Sequence, residues 1–182
     1  LSITLGKAER LEDLINEFFE ITRFNIYDIT LQYTKINLTR LLEQLVYEFK
    51  PMLKSKNLQC NFCVDDDIML RCDADKIQRV FDNLLRNAVI YSFENTDITI
   101  RAQCQEDTVS IIFCNHGDTL PEEKLNRIFE QFYRLDAARS TSSGGAGLGL
   151  AIAKQIVELH NGTIVAESQE DQNKFSITLP LA

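Results

Sequence analysis

Asn83 and Asn87 stand four residues apart in "VFDNLLRNAVIYS", so a helix there sets both amides on one face. Asparagine is a poor helix former, and two in register beside apolar residues need a reason. Amide oxygens are hard ligands that can hold a magnesium ion beside a phosphate chain without adding charge. A solvated stripe or a buried hydrogen-bonding pair would produce the same spacing. A second stretch, "GGAGLGLAIAK" over residues 144–154, packs four glycines into six positions before helical wording begins. It lacks the Gly-Lys-Ser/Thr ending of a P-loop, and Leu150 stands where a dinucleotide fingerprint starting at Gly145 and Gly147 needs its third glycine. No strand precedes it, since "LDAARSTSS" is polar and loop-like. Two readings remain: a glycine-rich lid that lets backbone approach phosphates and feeds an anion-favouring helix N-terminus, or a surface loop before an ordinary helix.

Elements on either side must hold these stretches in place. Asp73 is a plausible N-cap for a helix running to about Ser92. Along it Val80, Leu84, Ala88 and Tyr91 form one apolar row, and Ile77, Phe81 and Leu85 form another. Residues 97–104 and 108–114 alternate around "QEDT", and "GTIVAES" and "KFSITLP" alternate around "QEDQN", which predicts two hairpins. Residues 38–54 have helical spacing, with Pro51 marking a kink or end, and "YDITLQYTKINL" reads as a linker entering a short strand. Ala8, Leu11, Leu14, Ile15, Phe18 and Ile21 give the first 24 residues the apolar stripe of a helix that wants a helical partner, as in a hairpin or dimeric bundle, or that folds back onto the main domain. Helices interspersed with antiparallel hairpins favour an α+β fold, a two-layer α/β sandwich, over a doubly wound parallel sheet.

Composition narrows the function. At 182 residues and 45% hydrophobic, the chain has room for one full core, or one domain and an appendage. A formal charge of -8 argues against a nucleic-acid or anionic-membrane surface, although backbone N–H groups or a cation could hold an anion locally. No membrane-spanning run and no signal-peptide pattern are found, so a cytoplasmic piece is expected. The five cysteines form no dense framework. In "LQCNFCV" strand alternation puts Leu58, Cys60, Phe62 and Val64 on one face and Cys63 on the other, so Cys60 and Cys63 cannot share a zinc ion.

Taken together, "NLLRNAVIYS", "NHGDTLPEEKLNRIFEQFYRLD" and "GGAGLGLAIAKQIVELHNGTIVAES" resemble, in order, the motif boxes of sensor histidine kinases. The resemblance covers essentially the whole chain, and "FYRLDAARS" with "GGAGLGLAIAK" is similar to sensors of the vancomycin-resistance type. It implies the GHKL (Bergerat) ATP-binding fold over residues 28–182, with residues 1–27 as the second helix of a dimerisation and phosphoacceptor hairpin. ATP and Mg2+ would be the ligands. Asn87 would coordinate the metal, Asn83 would support the phosphates, and Arg134 would face the γ-phosphate. Tyr91, Asn115, Gly117, Thr119 and Tyr133 would line the nucleotide pocket, and Gly145, Gly147, Leu148, Gly149 and Leu150 would meet the phosphates. The implied partners are a phosphoacceptor histidine helix and a response regulator, in a homodimeric parent protein of the bacterial cell membrane.

Three features qualify that pattern. The family's adenine-binding aspartate falls on Asn115, which loses charge-assisted strength, and Thr119 replaces a glycine and narrows the pocket. Ile90 stands where many relatives carry a lysine, which leaves γ-phosphate charge to magnesium, Arg134 and Arg139. Low ATP affinity is the expected consequence, and a degenerate binding or scaffolding module is the non-enzyme alternative. A GHKL-type ATPase is disfavoured because Asn83 occupies the place of a water-activating glutamate and is no general base. The two histidines, His116 and His160, lack the acceptor's helical setting before an acidic residue. His160 reads as a helix C-cap and dipole partner, so the chain is expected not to phosphorylate itself.

Overall fold

The structure, a computed structural model, describes residues 30–134 and 147–181, together with Ile15. The expected helix over residues 1–24 therefore lies outside the described residues apart from Ile15, which is helical. Elements run β1 (Thr34–Asn37), α1 (Leu38–Ser55), β2 (Gln59–Val64), β3 (Met69–Cys72) and α2 (Ala74–Tyr91). They continue through β4 (Asp97–Gln105), β5 (Thr108–His116), α3 (Glu122–Leu125), α4 (Gly149–Leu159), β6 (Thr163–Gln169) and β7 (Gln172–Pro180). Among the described residues no helix is long and apolar enough to cross a membrane.

Five strands form one sheet in the order β2-β4-β5-β7-β6. Alternation decides which face is covered: Ile98, Ile100 and Ala102 of β4, Val109, Ile111 and Phe113 of β5, and Phe175, Ile177 and Leu179 of β7 are all buried. Against them pack Val80, Phe81, Leu84 and Leu85 of α2, with the Phe81 and Phe113 ring centroids 5.9 Å apart. Ile152, Ala153 and Ile156 of α4 and Leu42, Leu45 and Phe49 of α1 complete the helical layer. Both expected hairpins are present, β4-β5 and β6-β7, and both are antiparallel. Glu170 and Asp171 join β6 to β7 with φ of 52° and 57°, the paired left-handed conformation that suits a two-residue hairpin turn.

Differences from the sequence reading are local. β3, a four-residue strand that the sequence pattern does not announce, pairs with β1 in a separate two-stranded sheet. Leu70 and Cys72 are its buried positions, too few to show a period. β2 runs parallel to β4, so the sheet is mixed, because β3 and α2 form the crossover between them. Helix α1 continues through Pro51 to Ser55. The carbonyl that Pro51 leaves without a donor belongs to Tyr47, 68% exposed, while Leu53 anchors the last turn in the core.

The ends of α2 are held by named bonds. Asp73 caps its start, accepting from the Lys76 N–H at 3.2 Å. At its far end the Lys56 ammonium donates to the Ile90 carbonyl at 2.6 Å and the Ser92 carbonyl at 3.1 Å, taking up orphan acceptors. Replacing Asp73 by alanine should cost about 1 kcal/mol, the usual worth of an N-cap, read as a lowered urea midpoint with unchanged m-value.

Burial pushes the Cys72 thiol up to about 12, with Asp73 adding to the effect, and the Cys60 thiol up to about 11, with Cys63 adding. Both stay protonated near neutrality, where a thiol is a poor nucleophile. Alkylation at pH 8 should therefore label the exposed Cys63 and Cys104 first, and reach Cys72 only on unfolding. Equal labelling rates for all three would contradict this packing.

Candidate functional site

Helix α2 turns Asn83, Asn87 and Tyr91 towards one side of the helical layer, at successive four-residue steps. Asn83 is half-buried and its side-chain nitrogen donates to the carbonyl of Gly149 at 3.1 Å. That bond joins the asparagine face to the start of α4, where the glycine run ends. A side chain at Gly149 would meet the Asn83 amide oxygen at 3.3 Å, so a bare Cα lets the two approach. Asn87 is also half-buried, and no hydrogen bond among the described residues engages its amide.

Gly147 precedes α4 with φ of +79°, the left-handed region glycine enters without strain. Its carbonyl accepts from the Phe132 N–H at 3.1 Å, and a Cβ there would stand 2.8 Å from the Tyr133 carbonyl and 3.1 Å from Arg134 Cγ. "FEQFYR" and the glycine run therefore meet at the N-terminus of α4, whose orphan N–H groups suit an anion. Leu148 is the helix's N-cap residue and its side chain is 1% exposed, a core anchor that leaves its backbone at the turn. Leu150 is half-buried one step on. The Arg127 guanidinium lies 4.5 Å from the Tyr133 ring centroid. Gly145 and Arg139 lie outside the described residues.

Tyr91, at the other end of α2, has a side chain 43% exposed, and its carbonyl packs on Gly117, where a Cβ would sit 2.3 Å from the oxygen. The Phe93 N–H donates to the His116 carbonyl at 2.8 Å, fixing the end of α2 to the end of β5. Asn115 is 2% exposed, and its side-chain nitrogen is buried without a partner among the described residues. Such a group calls for a ligand or water.

The sequence reading missed what holds this end together. Gly117 N–H donates to the Asp171 carbonyl at 2.9 Å, and the Leu120 N–H donates to the Ser168 hydroxyl at 2.7 Å. Thr119 and Asp171 bond twice, hydroxyl to carboxylate at 3.1 Å and Asp171 N–H to the hydroxyl at 2.8 Å. The Thr119 hydroxyl is thus engaged by the β6-β7 turn. Its signal was the polar run "SQEDQN", which also reads as an ordinary turn.

Neither histidine is placed as an acceptor. His160 is 3% exposed at the end of α4, and its Nε2 accepts from the Asp73 N–H at 3.0 Å. Its Nδ1 then donates to the Ile156 carbonyl at 2.8 Å, which defines the neutral Nδ1–H tautomer. His160 is the C-cap residue of α4, as expected, and its ring also ties α4 to the cap of α2. His116 lies 3.6 Å from Asp97 on the sheet edge of the site.

The donor set fits a magnesium nucleotide. It combines a hard amide oxygen at Asn87, backbone N–H groups opening α4, and at Asn115 and Gly117 an orphan amide beside a bare Cα. Among the described residues no cluster of three or more His, Cys, Asp or Glu could hold a metal.

Residues 72–182 match the family model described as histidine kinase-, DNA gyrase B-, and HSP90-like ATPase. Sensor protein VanS of Enterococcus faecium is 51% identical over 178 residues, which cover 98% of this chain and 46% of that protein. The chain thus spans about half the length of that relative. The catalytic domain of histidine kinase ThkA superposes with a TM-score of 0.74 at 28% identity, covering 83% of this chain and 97% of that one. ThkA in complex with the response regulator protein TrrA superposes with a TM-score of 0.81 at 26% identity, covering 99% of this chain and 50% of that one.

Proposed function

Because the chain belongs to the family of histidine kinase-, DNA gyrase B- and HSP90-like ATPases, we propose that it binds magnesium ATP and moves the γ-phosphoryl group to a histidine imidazole. The observation that carries this reading is the Asn83–Gly149 bond, which closes the asparagine face of α2 onto the glycine-opened start of α4. Phosphates there meet N–H groups and neutral amides. Asn87 would hold the magnesium ion, which would supply charge neutralisation at the phosphates.

Each residue has a physical task. Asn83 positions the α4 turn and, being an amide, leaves no general base to activate water, which favours an imidazole as the attacking group. The bond between γ-phosphorus and the bridging oxygen breaks as the nitrogen–phosphorus bond forms, leaving ADP. Arg134, beside Gly147, faces the transferred group, and Tyr91 and Tyr133 flank the nucleoside. Gly147, with its left-handed backbone, would let the chain pass close to the phosphates.

In the intact protein residues 1–27 would supply the second helix of a dimerisation hairpin whose first helix carries the acceptor. A homodimer anchored at the cell membrane would then pass the phosphoryl group to an aspartate of a response regulator. The ThkA complex with TrrA and the identity to VanS support this reading.

The test is transfer in trans. The chain is incubated with magnesium and γ-labelled ATP beside a dimerisation fragment bearing the acceptor histidine. Acid-labile, alkali-stable label is expected on the acceptor and none on the chain. Release of inorganic phosphate without labelling would mark an ATPase, and absence of both would mark a binding module.

A further inference from the structure

Asn115 and Asn173 are neighbours across β5 and β7, yet their amides are in opposite situations. Asn173 is locked: its oxygen accepts from the Ser168 hydroxyl at 2.6 Å, and its nitrogen donates to the Asp118 carbonyl at 3.2 Å. Asn115 is buried like Asn173, but among the described residues its nitrogen has no partner, and it faces the bare Cα of Gly117, 3.3 Å from where a Cβ would be. Nothing bonded to that nitrogen fixes which way round the amide sits.

The position of this amide is informative. It lies at the Tyr91 end of α2, and Tyr91 is eight residues, about 12 Å along the helix, from Asn83. If phosphates occupy the Asn83 end, the base of the nucleotide lies at this one. The inference therefore rests on the nucleotide-binding reading given above. An amide offers one acceptor and a donor group, and rotation by half a turn exchanges them. Adenine presents a donor amino group at position 6 beside the acceptor N1. Hypoxanthine presents the reverse, an acceptor O6 beside a donor N1–H. One orientation of Asn115 matches adenine, and the other matches hypoxanthine. A carboxylate, which only accepts, would be repelled by O6 and would select the 6-amino base.

We propose that Asn115 makes the base site tolerant at position 6, so that the chain takes 6-oxopurine nucleoside triphosphates nearly as well as ATP. Thr119 does not counter this, because its hydroxyl is already bonded to Asp171.

The experiment is calorimetric titration with the β,γ-imido analogues of ATP and ITP, with magnesium, on the chain and on Asn115→Asp. The two analogues are expected to bind the unaltered chain within about tenfold of one another, and Asn115→Asp is expected to widen the preference for the adenosine analogue by about tenfold or more. Preference for the adenosine analogue above about 100-fold in the unaltered chain overturns the inference. That result stands alone if the buried carboxylate prevents the variant from folding, which circular dichroism reads. Failure of both analogues to bind the unaltered chain would overturn the nucleotide reading itself, an outcome distinct from tight adenosine binding without inosine binding.

Discussion

Asn87→Ala should weaken magnesium-dependent ATP binding by about 100-fold or more, beyond the 10–100-fold typical of losing an outer-shell partner of a metal. The reason is that the amide oxygen is the hard ligand α2 offers, and the methyl group replacing it offers none. Stability should move the other way. Alanine is a better helix former than asparagine by about 0.5 kcal/mol, and no hydrogen bond among the described residues is lost from the Asn87 side chain. Displacement of a fluorescent ATP analogue, read beside a urea melt, separates the two effects. A variant that still bound ATP with unchanged affinity and magnesium dependence would remove Asn87 from the site.

Gly117→Ala should damage fold and site together. Its Cβ would stand 2.3 Å from the Tyr91 carbonyl, and both groups are backbone, so the end of α2 or the start of the 117–120 loop must move. Overpacking of this kind costs about 1–3 kcal/mol. The displaced groups are those that carry Tyr91 and Asn115, so ATP affinity should fall by about tenfold or more even where the variant is fully folded. A lowered urea midpoint together with weaker nucleotide binding is the expected pair of results. A neutral variant would show that the contact between α2 and Gly117 yields easily.

Much of this architecture was legible because period and punctuation agreed. The two hairpins show alternation around polar turns, and α2 shows a 3.6-residue apolar row between Asp73 and Ser92, each matched by the structure. β3 was not legible, since two buried positions cannot establish a period, and the parallel pairing of β2 depends on a crossover that no local pattern records. Of the two readings of Pro51, a helix end is overturned, because its cost falls on an exposed turn and α1 runs on to Ser55.

At the site, helix spacing sufficed to align Asn83 with Asn87, and the glycines announced a close backbone approach. The contact of Asn83 with Gly149 spans 66 residues of sequence and follows only from packing α4 beside α2. Lys56, which closes the end of α2, gave no signal, since an isolated lysine after a helix is ordinary. Burial pushes its ammonium pKa down, with Glu94 opposing, and two carbonyls compensate that desolvation. The clasp of Asp171, Ser168 and Asn173 around residues 117–120 likewise joins polar residues that look like turn composition until the strands are paired.

On the reading proposed above, the α2 and α4 surfaces form a magnesium nucleotide site. The most direct test of that reading is calorimetric titration of the unaltered chain with the β,γ-imido analogue of ATP, once with magnesium and once with chelator. Binding at one site per chain that vanishes on chelation is the predicted result. Absence of binding at millimolar analogue, or binding indifferent to magnesium, would contradict it.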